Sequence, residues 1–312
     1  MHNHFHSVDP SKMNPRYALL ASIWAVATVT ILIGIKTYAY YQSNSASILG
    51  SLTDSITDAG ISIMMLFAVR LSLKPADKDH RHGHGKVEGI ASLMQGAFMA
   101  GAGVFLAFSA GDRFIHPVIV SHHQLALAVS FIAIALSLIV VSVQKFSLRR
   151  APSLAIEADH AHYKTDIALN GMVIVALFVD LYNGPKWLDP VFALFIAGYF
   201  LWTAFQITGR SVDMLMDKEM PLKIRRHIEE IVRQNLHVHG MHDLRTRQSG
   251  MQMHISFDVE LYPDLSLKQA HDIVRELDHA ILEHYPHAEI IIHMDPIGDT
   301  ADPRHSVRGV HH

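Results

Sequence analysis

The sequence predicts an α-helical membrane protein, with six transmembrane helices followed by a smaller cytoplasmic α+β domain. Three observations carry this. Half of the 312 residues are hydrophobic and 18% are charged, against about 25% charged in an ordinary soluble domain. The apolar residues gather into six runs near the length of about 20 residues that crosses a hydrocarbon core of about 30 Å. After Arg210 these runs stop and short amphipathic patterns begin.

The spans are expected at about 17–41, 45–73, 87–110, 124–144, 154–181 and 188–209. An even number of crossings puts both termini on one side. Lys12 and Arg16 precede the first span, Lys74, Lys78, Arg81 and Lys86 separate the second from the third, and Lys145, Arg149 and Arg150 separate the fourth from the fifth. The opposite loops hold only Arg113 and Lys186. The positive-inside rule then places both termini in the cytoplasm. The opening MHNHFHSVDPSKMNP is polar and lacks the apolar core of a cleavable signal peptide, so the first span is expected to act as the insertion signal. In the third span, GAFMAGAGVF suits close helix packing and suits a lipid-facing surface equally.

Residues 1–16 read as a cytoplasmic tail, 17–209 as the transmembrane domain, 210–296 as the soluble domain and 297–312 as a disordered polar tail. Within the soluble domain a helix follows Pro221, a good first-turn residue, through KIRRHIEEIVRQNL. Strands are expected at MHDLRTRQ and MQMHISFDVEL around a Ser249–Gly250 turn, then a helix at LSLKQAHDIVRELDHAILEHY and a strand at AEIIIHMDP. Two helices on one face of a small sheet form an α+β layer.

Charged groups at bilayer depth are the main functional signal. Asp54 and Asp58 lie in SASILGSLTDSITDAGISIMMLFAV, and His162 and Asp166 in LAIEADHAHYKTDIALNGMVIVALF. A carboxylate near the bilayer centre costs about 2.5–3.5 kcal/mol on insertion scales, so it normally faces a pathway or a partner. Residues four apart stack on one helix face. Brought together, the two pairs offer three carboxylates and one imidazole, which suits Zn(II) and admits Fe(II) or Cd(II). Any one of these residues taken alone reads equally as a helix cap or a hydrogen-bonding partner.

The chain has 24 histidines and no cysteine, so a metal must be held by imidazole and carboxylate. PADKDHRHGHGK packs Asp77, Asp79, His80, His82 and His84 into eight residues, and Gly83 and Gly85 would let that backbone turn tightly around an ion. A solvated polar loop is the alternative. In the soluble domain His242, Asp258, His271, His293 and Asp295 come from separate elements, with His293 and Asp295 sharing a strand face. In a histidine-rich chain this scatter leaves a metal site there an open question.

The runs SLTDSITDAG, PADKDHRHGHGK, ADHAHYKTD, HDLRTRQSG and IIIHMDP, in this order from the first span to Pro296, resemble the cation diffusion facilitator family, and within it the ferrous-iron and zinc efflux branch. The resemblance implies a homodimer in the bacterial inner membrane, a ferredoxin-like cytoplasmic domain, and antiport of divalent metal against protons. It implies a transport site at Asp54, Asp58, His162 and Asp166, and a loop site at Asp77, His80 and His84. It further implies a binuclear cytoplasmic site at His242, His271, His293 and Asp295, with Asp258 standing where close relatives have histidine. That substitution hardens the site. It also suggests that Lys86 pairs with Asp217, although each is equally an ordinary surface charge by sequence.

The expected mechanism follows from the ligands. Asp and His bind metal when deprotonated, so metal and protons compete for the same atoms. Rocking of helices around a midplane site would give alternating access, and an inward proton gradient would drive export, with His162 the pH-sensitive member. The soluble domain is expected to act as a metal sensor or dimer clamp. A gated divalent-metal channel, or a metal sensor without proton coupling, is the competing class. An intramembrane metalloprotease would need a His-Glu-x-x-His helix and a primary pump a phosphate-binding loop, and the sequence has neither. A net charge of -3 with no concentrated basic face argues against nucleic acid.

Overall fold

The computed structural model describes residues 14–43, 46–115, 123–181, 185 and 187–298. Most of both expected tails, together with Lys12 and Lys186, lies outside the described residues. The chain divides into two compact units, Asn14–Val212 and the part from Asp213 onward.

The first unit is a helical bundle: α1 (Arg16–Ser43), α2 (Ala46–Ser72), α3 (Val87–Ile115), α4 (His123–Leu148), α5 (Leu154–Leu181) and α6 (Leu188–Leu215). Five of the six helices are long and apolar enough to cross a membrane by length and composition. The sixth, α5, runs 28 residues, about 42 Å of helix at 1.5 Å per residue. It misses that measure because it carries Glu157, Asp159, Lys164, Asp166 and Asp180. The protein thus has a six-helix membrane unit. α3 and α6 run several residues past the apolar runs that announce them, because backbone hydrogen bonding continues through Asp112, Arg113 and Arg210.

α5 is the hub of the bundle, packing against α1, α2, α3 and α4. Polar bonds tie these helices, most of them at buried positions where no water competes for them. Tyr163 Oη donates to the Ala25 carbonyl at 3.2 Å and lies 3.3 Å from Ser62 Oγ, linking α5 to α1 and α2. Gln144 Nε2 donates to Asp159 Oδ2 at 2.7 Å, linking α4 to α5. Arg210 pairs with Glu157, linking α6 to α5. Glu88 is buried and accepts from Ser72 Oγ at 2.8 Å, Ser153 Oγ at 2.7 Å and the Leu154 N–H at 3.0 Å. One carboxylate therefore joins the ends of α2 and α3 to the first turn of α5.

The small residues of α3 divide. A Cβ on Gly96 would lie 2.5 Å from Thr208 Oγ1, and one on Gly103 would lie 3.1 Å from Leu201 Cγ, so both glycines admit α6 at close range. Gly101 has open space.

The second unit is a helix, two strands, a helix and a strand: α7 (Leu222–Arg233), β1 (Gly240–Ser249), β2 (Gln252–Leu261), α8 (Leu267–His284) and β3 (Ala288–Pro296). The sheet order is β1-β2-β3, antiparallel and then parallel, so α8 is the crossover between β2 and β3. Gly250 and Met251 form a two-residue hairpin turn, and Gly250 takes φ +61°, the requirement of the first central position of a type II′ turn. Ser266 starts α8 with a capping box shared with Gln269. Ile255, Phe257, Val259 and Leu261 of β2 bury their side chains against Ile228, Ile231 and Val232 of α7 and Ile273, Leu277 and Ile281 of α8. By alternation His254, Ser256, Asp258 and Glu260 point to the other face of the sheet.

Candidate metal centres

Among the described residues three convergent donor groups are each drawn from one unit alone, two from the first and one from the second, and each is positioned by a different local device.

In the membrane unit, α2 and α5 bring Asp58, His162 and Asp166 together, with one donor atom from each lying within 4.8 Å of the others. His162 Nε2 stands 3.2 Å from Asp58 Oδ1 and 3.5 Å from Asp166 Oδ2. The i,i+4 spacing supplies the His162–Asp166 half, and helix packing supplies Asp58. Tyr163, adjacent to His162 and bonded to α1, fixes the rotation of α5 that turns His162 inward. Asp54 shares the Asp58 face by spacing but is exposed in the chain, outside this group. Its charged neighbours are Asp58 and Lys36. Lys36, a buried ammonium on α1, went unmarked in the sequence reading. It donates to Ser55 Oγ at 2.6 Å and to the Ser51 carbonyl at 3.0 Å.

In the loop between α2 and α3, Asp77 is the organiser. Its Oδ1 accepts the N–H of His80 at 2.9 Å and of Asp79 at 3.1 Å, an Asx-type turn. The Lys74 ammonium bonded to its other oxygen at 2.8 Å, together with these N–H groups, holds the Asp77 carboxyl well below the usual carboxylate range. His80 Nδ1 lies 3.3 Å from Oδ1 and His84 Nε2 lies 3.4 Å from Oδ2. Asp77, His80 and His84 thus form one donor group, and Asp79 and His82 stay outside it. Gly83 takes φ +76°, which closes the loop. Gly85, expected to do the same, does not take a positive φ: it lies in the turn that leads into α3, where its carbonyl accepts from Glu88 N–H at 3.1 Å.

In the second unit, the helix-free sheet face carries His242, Asp258 and Asp295 as a donor group. His242 sits opposite Asp258 on β1 and β2, and Asp258 opposite His293 on β3. A β-bulge makes this possible: Asp243 adopts φ +50° in the register break between His242 and Arg245. The extra residue lets Met241 and Leu244 both reach the core while His242 faces outward. His242 Nδ1 is 3.6 Å from Asp258 Oδ2, and its Nε2 is 3.4 Å from Asp295 Oδ2. Asp295 Oδ1 lies 3.1 Å from His293 Nε2, so the two oxygens of one carboxylate address two imidazoles. Glu260, absent from the sequence reading, comes within 3.9 Å of His242 Nε2. Its signal was available, since it lies two residues beyond Asp258 on the same strand face. Gly240 directly across gives it room, a Cβ there falling 2.7 Å from the Glu260 carboxyl carbon. His271 is exposed near the start of α8 and joins none of these groups.

Residues 22–216 match the family profile described as the cation efflux transmembrane domain, and residues 220–297 match the cation efflux protein cytoplasmic domain. The chain is 43% identical over 278 residues to the cation-efflux pump FieF of Shewanella oneidensis, a match covering 89% of this chain and 94% of the relative. It is 38% identical over 287 residues to the pump of the same name in Escherichia coli, covering 91% and 95%. Among solved structures, the metal-bound C-terminal domain of the CzcD transporter from Thermotoga maritima covers 26% of this chain and 94% of its own, at 26% identity and a TM-score of 0.25.

Proposed function

Because the chain belongs to the cation efflux family, we propose that it exports a divalent metal ion from the cytoplasm in exchange for protons, holding the ion at Asp58, His162 and Asp166, with Asp54 completing the set. The convergence of three donor atoms from two membrane helices supports this most directly. These groups take either a metal ion or protons, so loading displaces protons and reprotonation releases metal. Two oxygens and one nitrogen in the convergent trio suit Zn(II), with Fe(II) and Cd(II) as further substrates. The name of these relatives, cation-efflux pump, agrees with this direction of transport.

In this reading both termini are cytoplasmic in a bacterial inner membrane, the loop group loads or senses metal at the cytoplasmic surface, and the second unit pairs with that of another copy. The donor chemistry on its sheet face fits metal regulation, because Asp295 offers one oxygen toward His242 and the other toward His293. Asp258 makes the group harder than two imidazoles would.

Calorimetric titration of Zn(II) into the purified protein, in buffers of different ionisation enthalpy, counts the protons displaced per metal. Proton release that disappears in Asp58→Ala is expected. A membrane site that binds metal without releasing protons points instead to a channel or a sensor.

A further inference from the structure

Lys36 is the one buried lysine among the described residues. It lies on α1 within about 12 Å of the end where α1 gives way to α2, and Asp54 lies about as far along α2 from that same end. An ammonium at membrane depth is expensive unless something holds it. Here Ser51 and Ser55 of α2 do so, at 3.0 and 2.6 Å. Asp54 follows Ser51 by three positions and Asp58 follows Ser55 by three, so each acceptor has an acid one turn further along the helix. Asp58, Asp54 and Asp166 all lie close enough for their charges to act on Lys36. A cation is thus fixed beside the carboxylates that the proposed transport site uses, by bonds that leave those carboxylates to other partners.

We propose that Lys36 is an affinity-setting residue of the membrane site: a tethered positive charge that balances the acids when no metal is present and weakens their hold on a divalent ion when one is. This rests on the reading of Asp58, His162 and Asp166 as that site. The sign follows from Coulomb's law. A fixed unit charge repels any cation, and repels a dication twice as strongly as a proton, so it loosens metal even where the two compete. A transporter gains from this because an ion bound by several carboxylates in a medium of low dielectric is otherwise slow to leave. A lysine serving only to pack α1 on α2 has the opposite signature: its loss loosens the helices and weakens binding.

The test is Zn(II) titration by calorimetry on the full chain in lipid nanodiscs, comparing wild type, Lys36→Met, Lys36→Arg and Asp58→Ala. The binding component that Asp58→Ala removes reports the membrane site. Lys36→Met is expected to tighten that component by on the order of tenfold, and Lys36→Arg to leave it near wild type. In uptake assays Lys36→Met lowers KM and kcat together. Unchanged or weaker binding in Lys36→Met, with Lys36→Arg intact, overturns the inference and leaves the site standing. Equal weakening in Lys36→Met and Lys36→Arg assigns Lys36 to packing and also overturns it. If Asp58→Ala removes no component at all, the reading of the site fails first and the inference falls with it.

Discussion

His162 on α5 and Asp58 on α2 meet across the helix interface at 3.2 Å, 104 residues apart in the chain. This one contact turns two separate helical motifs into a single donor group, since Asp166 already lies one turn from His162. A donor group built this way changes whenever α2 and α5 move relative to each other, which is the motion that the proposed alternating access needs.

His162 supplies the one nitrogen of the membrane group. Replacing it by carboxylate in His162→Asp makes an all-oxygen site, and the Zn(II) to Mn(II) affinity ratio should shift toward Mn(II) by on the order of tenfold. Competition binding with the two ions measures this. An unchanged ratio would separate metal choice from this residue.

Glu88 has three hydrogen-bond donors aimed at it from α2, the loop before α5, and α5 itself. Glu88→Ala leaves them without an acceptor and should cost roughly 3 kcal/mol or more. Glu88→Gln keeps an acceptor oxygen and should cost less. Thermal unfolding in detergent gives the order, and equal losses would mean that neither the volume nor the single acceptor oxygen of Gln replaces the carboxylate.

In the second unit, Ser266→Ala removes the cap of α8 and should cost about 1 kcal/mol. Phe257→Ala opens the centre of the core between sheet and helices and should cost about 3–5 kcal/mol. Hydrogen exchange of the α8 amides in the full chain reads both.

Asp77 is held ionised chiefly by its hydrogen bond to Lys74. Because its folded value lies below the ordinary one, the order it gives the loop is present above the ordinary carboxylate range and is lost as pH falls through the depressed value. Lys74→Met should move that loss to higher pH, and carbon NMR of the Asp77 carboxyl follows it. A midpoint that does not move would leave the backbone N–H groups as the sole cause.

Much of this was legible in the sequence because its periods are strong. Apolar runs mark each membrane helix, and α5 shows as a span despite its charges because LNGMVIVALFVDL completes its length. In the second unit the alternation around Phe257 and the Ser266–Gln269 cap locate β2 and α8 closely. Packing, which has no local signature, decided the rest. Spacing puts Asp54 and Asp58 on one face equally, yet only Asp58 reaches His162. Lys36 passed as one charge near the end of an apolar run, because nothing in its neighbours announces that Ser51 and Ser55 will receive it. The bulge at Asp243 was hidden too. Strict alternation would place Met241 and Asp243 on one face, and only the left-handed backbone there sends Leu244 inward instead.

Zn(II) uptake into proteoliposomes holding the purified protein, with and without a pH gradient, for wild type and Asp58→Ala, separates proton-coupled export from its alternatives. Antiport through the Asp58, His162 and Asp166 group requires uptake that the pH gradient accelerates and that Asp58→Ala abolishes. Flux indifferent to both the gradient and the substitution would contradict it.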